Sequence, residues 1–244
     1  MVSQPNRVTA GSTGNTLTFT FTADSASVRG RTLFSVPTGW TAPQAANSAR
    51  PGYVRIGRRG CAGATRLGRI HGQTIIVNTL CRKGASFRIV YSDVTAPRLA
   101  AGYAFLTETG STTPRSGRPP RFLPLAPAKQ PVVAVLGGLV DHFQITTTSL
   151  ATAGTPFSLT VRPLDIYGNI ARDASGNYYM TTMSFTSTDP SATLPAPYTT
   201  VPADFGTHTF RGLVLNTPGT QTIRVSDQNG ITGESLPITV SSYR

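Results

Sequence analysis

Acidic residues are scarce in this chain: ten Asp and Glu stand against 22 Lys and Arg in 244 residues, a formal net charge of +12. Paired carboxylates for acid–base chemistry therefore have few positions to occupy, and none of the ten falls in a glycosidase word. The three histidines, His71, His142 and His208, stand apart without metal-ligand spacing. Gly-x-Ser-x-Gly is absent, which removes the usual esterase nucleophile. No apolar run approaches the roughly 20 residues of a membrane helix, and no amphipathic run of helical period carries a cap and a stop. None of the eight asparagines stands in an Asn-x-Ser/Thr sequon. The reading is a chain that is not an enzyme, with no catalytic residue, no cofactor, no metal site and no membrane span.

What is present is turn punctuation and alternation. Gly (24) and Pro (19) are spread between short apolar-alternating runs, the spacing of an all-β chain. The clearest run is TAGTPFSLTVRPLDIYGN at 152–169. Phe157, Leu159 and Val161 point one way and Ser158, Thr160 and Arg162 the other, and Gly168 and Asn169 then close a turn. Asp165 is expected to bond that turn's backbone; the spacing of a calcium loop, with Asp189 and Asp204 as further ligands, is missing. In the first half, strands are expected around Leu17–Phe21, Phe34–Val36, Ile75–Val77, Phe87–Tyr91, Tyr103–Phe105 and Pro131–Leu136. The only tryptophan, Trp40, reads as a core plug at a strand end. The proline-rich stretch 111–131 reads as a long extended loop. The length suits two domains, 1–137 and 138–244.

The charge is uneven. Residues 1–130 carry 17 basic residues against three acids, and residues 131–244 carry five against seven. All basic residues but Lys83 and Lys129 are arginines, which suits planar contact with carboxylate or phosphate. Cys61 and Cys81 are the only cysteines; with no Cys-x-x-Cys and no histidine set, they read as one disulfide rather than a metal or redox site, and so as an oxidising compartment. Such a bond would draw Arg55, Arg58, Arg59, Arg66 and Arg69 toward Arg82 and Arg88 and make one basic face. That face is either a docking surface for an anionic partner or a set of strand edges charged to block edge pairing. Met1 is followed at once by polar residues, which reads as a mature or excised segment with an added start.

The second half carries the words VDHFQIT (140–146), TAGTPFSLTVRPLDIYGNI (152–170), FTSTDPSATLP (185–195) and FGTHTFRGLVLNTPGTQTIRVSD (205–227). With seven or eight short strands in that span, it resembles the bacterial immunoglobulin-like (Big-type) repeat of secreted and surface proteins. The first half, through TLTFTFTA (16–23), FSVPTGWTAP (34–43), GYVRI (52–56), GASFRIVYSDVTAP (84–97) and AGYAFLTET (101–109), resembles a related bacterial surface-protein β-sandwich module. These resemblances imply two tandem immunoglobulin-like antiparallel β-sandwiches, an extracellular or cell-surface location and a structural or adhesive role. The expected partners are other surface-assembly subunits or, from the basic charge of the first half, an anionic cell-envelope polymer.

A second expectation, from another class, is a carbohydrate or anionic-polymer binding accessory module of a larger secreted enzyme. Tyr178, Tyr179 and Tyr198 are its candidates for glycan stacking. Nucleic acid fits less well, because the arginines are not interleaved with a known nucleic-acid motif.

Overall fold

The structure, a computed structural model, describes residues 1–110 and 121–242. The chain is all-β. Two compact units, Met1–Leu136 and Gly137–Arg244, each hold their own core.

The strands of the first unit are β1 (Val2–Gln4), β2 (Arg7–Thr9), β3 (Asn15–Thr22), β4 (Val28–Ser35), β5 (Tyr53–Arg59) and β6 (Arg66–His71). They continue with β7 (Thr74–Cys81), β8 (Ser86–Val94), β9 (Ala101–Ala104), β10 (Thr107–Gly110), β11 (Phe122–Pro124) and β12 (Val132–Leu136). One sheet runs β1-β3-β8-β5 and the facing sheet β11-β10-β4-β7-β6, with a small third sheet β2-β12-β9.

Alternation decides which residues meet between the sheets. Leu17, Phe19 and Phe21 of β3 and Phe87, Ile89 and Tyr91 of β8 point inward, as do Phe34 of β4 and Ile75 and Val77 of β7. Across the gap the ring of Phe19 lies 4.6 Å from those of both Phe34 and Phe105, and Trp40 stands 5.4 Å from Phe105. Trp40 is the core plug that its position implied, 4% exposed. Of the polar groups that enter this interior, Thr32 and Thr79 share a hydroxyl hydrogen bond of 2.9 Å and the Tyr91 hydroxyl donates to the Thr41 carbonyl, while the Trp40 indole Nε1 is buried without a hydrogen-bond partner.

Residues 111–120 of the proline-rich stretch lie outside the described residues. The remainder is not a bare extended loop: Phe122–Pro124 pairs with β10 and Pro127–Lys129 makes one 3-10 turn. The expected strands also left out β1 and β2, each only three residues long, as well as β6 and β10.

The second unit contains β13 (His142–Thr147), β14 (Leu150–Thr152), β15 (Phe157–Leu164), β16 (Thr182–Ser187) and β17 (Tyr198–Thr199). It ends with β18 (His208–Leu213), β19 (Gly219–Gln221), β20 (Ile223–Asp227), β21 (Thr232–Glu234) and β22 (Ile238–Ser241). Sheets β13-β15-β18, β14-β22-β19 and β17-β16-β20-β21 enclose Phe143, Leu159, Met183, Phe210, Leu213, Ile223 and Ile238.

Both units begin with the same device. In the first, β1 pairs antiparallel with β3, and the chain then crosses so that β2 runs parallel to β12. In the second, β13 pairs antiparallel with β15, and β14 runs parallel to β22. A first strand divided between two sheets holds the ends of each sandwich together and covers edges that would otherwise be open. The sheets are therefore antiparallel except at these two pairings.

Cys61 and Cys81 are bonded, closing a sequence separation of 20 residues. Cys81 is the last residue of β7 and Cys61 follows β5, so the bond joins the two main sheets. Replacing both with Ser should cost the first unit about 2–4 kcal/mol, the usual worth of a loop of this size. Urea unfolding followed by Trp40 fluorescence reads this unit alone, since no other tryptophan exists; an unchanged midpoint would show the bond to be dispensable.

Candidate functional site

The sheet orders place β5 and β6 at the ends of their sheets, so consecutive strands form two neighbouring edges. Five of the arginines singled out by the sequence lie on them: Arg55, Arg58 and Arg59 on β5, Arg66 and Arg69 on β6. All five are exposed, as is Arg82, which follows the bonded Cys81.

Register separates them further. Arg55 and Arg59 face outward from the first sheet, and so does Arg88, which stands opposite Gly57 on β8. Arg88 thus joins its neighbours through strand pairing rather than through the disulfide, and its Nε is buried without a hydrogen-bond partner. Arg58 has the inward parity of Val54 and Ile56 but sits exposed near the strand end; a Cβ at Gly63 would lie 3.2 Å from its Nη1. Arg66 and Arg69 face outward from the opposite sheet, standing across from Asn78 and Ile76 of β7. The single basic face expected from the disulfide is therefore a band that passes around an edge from one outer face to the other. A sandwich has two outer faces, and a bond at one flank cannot merge them.

The same register brings in two residues that the sequence reading left out. Val28, Thr32 and Phe34 of β4 point toward the core, so Arg29 and Arg31 point out, opposite Leu80 and Asn78. The word VRGRTLFS held the signal in its alternation, but the strand was placed by Phe34 and Val36 alone. Among the described residues, none of Arg29, Arg31, Arg55, Arg58, Arg59, Arg66, Arg69, Arg82 or Arg88 forms an ion pair, whereas Lys129 lies 2.5 Å from Asp24.

The three tyrosines proposed for glycan stacking are half-buried and engaged. The Arg172 guanidinium covers Tyr178 at 3.6 Å, and Phe205 meets it edge-on. The Tyr179 hydroxyl donates to Asp227 and accepts from Asn229 Nδ2. Tyr198 lies 4.0 Å from the His208 ring, and its hydroxyl donates to Asp204. No ring contact joins the three to one another among the described residues.

The carboxylates of the second unit hold loops. Asp165, Asp173 and Asp227 each open a five-residue turn of one design. Oδ1 accepts from the amides two and four residues on, and a glycine at the fourth place takes a φ of 81–82°. The repeated Asp-x-x-Gly words at 165, 173 and 227 were the available signal. Asp165, 1% exposed, also accepts from the Gly138 amide and the Asn169 side chain. Burial alone would raise its pKa, but these donors outweigh it and hold the carboxyl below the usual range. Asp189, 3% exposed, accepts from the amides of Ser191, Asn216 and Thr217 and from the Thr217 hydroxyl. Against the opposing effect of burial, these bonds lower its pKa to about 2. Asp204 receives Tyr198, the Val201 amide and His208 Nδ1.

No family model matches this chain, and no curated protein matches it. Among solved structures it is similar to the adhesin InvE of Yersinia pseudotuberculosis, with 14% identity and a TM-score of 0.31, over 98% of this chain and 57% of that one. It is also similar to the C-terminal 282-residue fragment of intimin, solved in complex with the intimin-binding domain of its translocated receptor Tir. There the identity is 10% and the TM-score 0.24, over 98% of this chain and 62% of the intimin chain. The chain thus spans less than two thirds of either. At such scores neither likeness says what this chain binds.

Aspartates of the second unit hold its loops, whereas the nine arginines of the first unit named above form no ion pair among the described residues. The former role gives a pH dependence. Asp189 contributes stability that is complete above the ordinary carboxylate pKa of about 3.9 and is lost as pH falls through its folded value of about 2. Asp189→Asn leaves amides of a buried loop short of acceptors and should cost about 1–3 kcal/mol at pH 7. Thermal unfolding by circular dichroism at pH 7 and pH 2.5 should show a smaller acid-induced fall for the variant's second unit than for the parent's. Equal falls would remove Asp189 from the acid response.

Proposed function

We propose that this chain is a non-catalytic structural or adhesive segment of a bacterial surface or secreted assembly, and that its first unit docks on an anionic partner through the arginine band. The observation that carries this reading is the position of Arg29, Arg31 and Arg88. Charge on β5 and β6 is what any exposed sheet edge needs to prevent pairing with another chain. β4 and β8 are flanked by strands on both sides. No edge is guarded there, yet outward arginines continue across them without a carboxylate partner. The charge exceeds what protecting edges requires, and it is concentrated where an anion would meet several guanidinium forks at once.

The disulfide supports an oxidising compartment and hence an extracellular or surface location. The strand order, the divided first strand and the resemblances of both halves support an immunoglobulin-like building block of such an assembly.

The test is retention on an anionic matrix. The parent chain should elute late at low salt and much earlier above physiological ionic strength, because exposed charges are screened over about 8 Å there. The triple variant Arg31→Glu, Arg59→Glu, Arg66→Glu, which reverses one arginine on each of β4, β5 and β6, should lose most of that retention while keeping the parent's Trp40 emission. A variant retained like the parent would leave the band as a solvated surface and defeat the docking reading.

A further inference from the structure

Within the arginine band, the outer face of the sheet β4-β7-β6 has a geometry of its own. β7 runs down its middle and presents Ile76, Asn78 and Leu80 outward. On one side β4 supplies Arg29, opposite Leu80, and Arg31, opposite Asn78. On the other, β6 supplies Arg66, opposite Asn78, and Arg69, opposite Ile76. All four are exposed. Two parallel rails of guanidinium groups therefore stand about 9.5 Å apart at their backbones, two strand spacings, and Arg29 and Arg31 follow each other at about 6.8 Å along β4. The floor between them is low: Ile76 is 8% exposed and Leu80 36%. β6 bulges at Gly68, where a Cβ would come within 3.1 Å of Asn78 Oδ1, so glycine leaves the space into which the Asn78 amide leans. Glu108 stands at the far end of the row Glu108–Leu33–Ile76–Arg69 and limits the basic stretch on that side.

We infer that this trough binds a linear acidic polysaccharide, laid along β7, with its carboxylate or sulfate groups held alternately by the two rails and its hydroxyls by Asn78. The inference rests on the docking reading above and names its partner and place. Three features select the class. β7 is hydrogen-bonded to β4 on one side and β6 on the other, so a peptide laid along β7 finds no main-chain groups to pair with, and the open edge of β6 lies outside the trough. The floor has no aromatic ring on which the bases of a nucleic-acid strand would stack. At its centre Asn78, between Arg31 and Arg66, presents an amide donor and acceptor, which suits hydroxyls better than the buried aromatic or arginine anchor of a folded protein partner. Open guanidinium forks on either side of a floor centred on Asn78 match a flexible chain that carries its acids at intervals and hydroxyls between them.

The experiment measures the full chain and two variants against dextran sulfate, polygalacturonate and poly-L-glutamate at one fixed ionic strength. Arg29→Glu with Arg31→Glu changes the trough. Arg55→Glu with Arg59→Glu makes the same change of charge on the other outer face. Unfolding midpoints by Trp40 fluorescence confirm that both variants fold. The expected result is a loss of at least tenfold in affinity for one or both polysaccharides in the trough variant. The other variant should lose less than threefold, and poly-L-glutamate should bind the parent at least tenfold more weakly than the better polysaccharide. Equal losses in the two variants would keep docking but overturn the trough. Unchanged affinity in both would overturn the docking reading itself. Poly-L-glutamate binding as tightly as either polysaccharide would overturn the polysaccharide in favour of an acidic peptide.

Discussion

The contact of Phe19 with Phe34 and Phe105 between the two main sheets of the first unit is the constraint on which the rest depends. In a strand the side-chain period is two, so burying Phe34 fixes the facing of every other residue of β4. Thr32 and Val28 must follow it inward, and Arg31 and Arg29 are turned to solvent. The same holds across β7, where Ile75 and Val77 in the core set Asn78 and Leu80 outside, and across β6, where pairing then fixes Arg66 and Arg69. A slip of one residue in β4 would bring Arg31 to the core with no acid to meet it, a cost no other contact could offset. The display of charge is thus a consequence of aromatic packing on the far side of the same strands.

The two units use one plan for different ends. Each divides its first strand between two sheets and finishes with the strand that receives the second piece. Their charges are handled in opposite ways. In the second unit Asp165, Asp173, Asp189, Asp204 and Asp227 all accept hydrogen bonds from nearby loop amides, so its negative charge stiffens turns. In the first unit the arginines of β4, β5, β6 and β8 meet no carboxylate among the described residues. The proposed division between a scaffold and a docking unit rests on this contrast.

Much of this was legible in local words. Strict alternation in TLTFTFTA and SFRIVY marked the inward residues of β3 and β8, a large aromatic after VPTG marked the core plug, and two lone cysteines marked their own bond. What escaped was non-local. That Arg55 and Arg66 lie on edge strands follows from the orders β1-β3-β8-β5 and β11-β10-β4-β7-β6, which no local pattern encodes. Arg88 belongs with Arg55 and Arg59 only because β8 pairs with β5 in that register. Arg29 and Arg31 went unnoticed because Gly30 and Thr32, small or polar at inward positions, blur the alternation before Phe34. The tyrosines looked available in sequence, but Arg172 from the same loop as Tyr178, and Asp227 and His208 from other strands, contact them.

The most direct measurement of the central claim is nuclear magnetic resonance of the arginine Nε–H groups of the full chain during titration with a sulfated polysaccharide. The account predicts that Arg29, Arg31, Arg66 and Arg69 shift first and saturate together, while Arg162, Arg172, Arg211 and Arg224 of the second unit stay in place. Shifts that begin in the second unit, or that spread evenly over every exposed arginine, would contradict it.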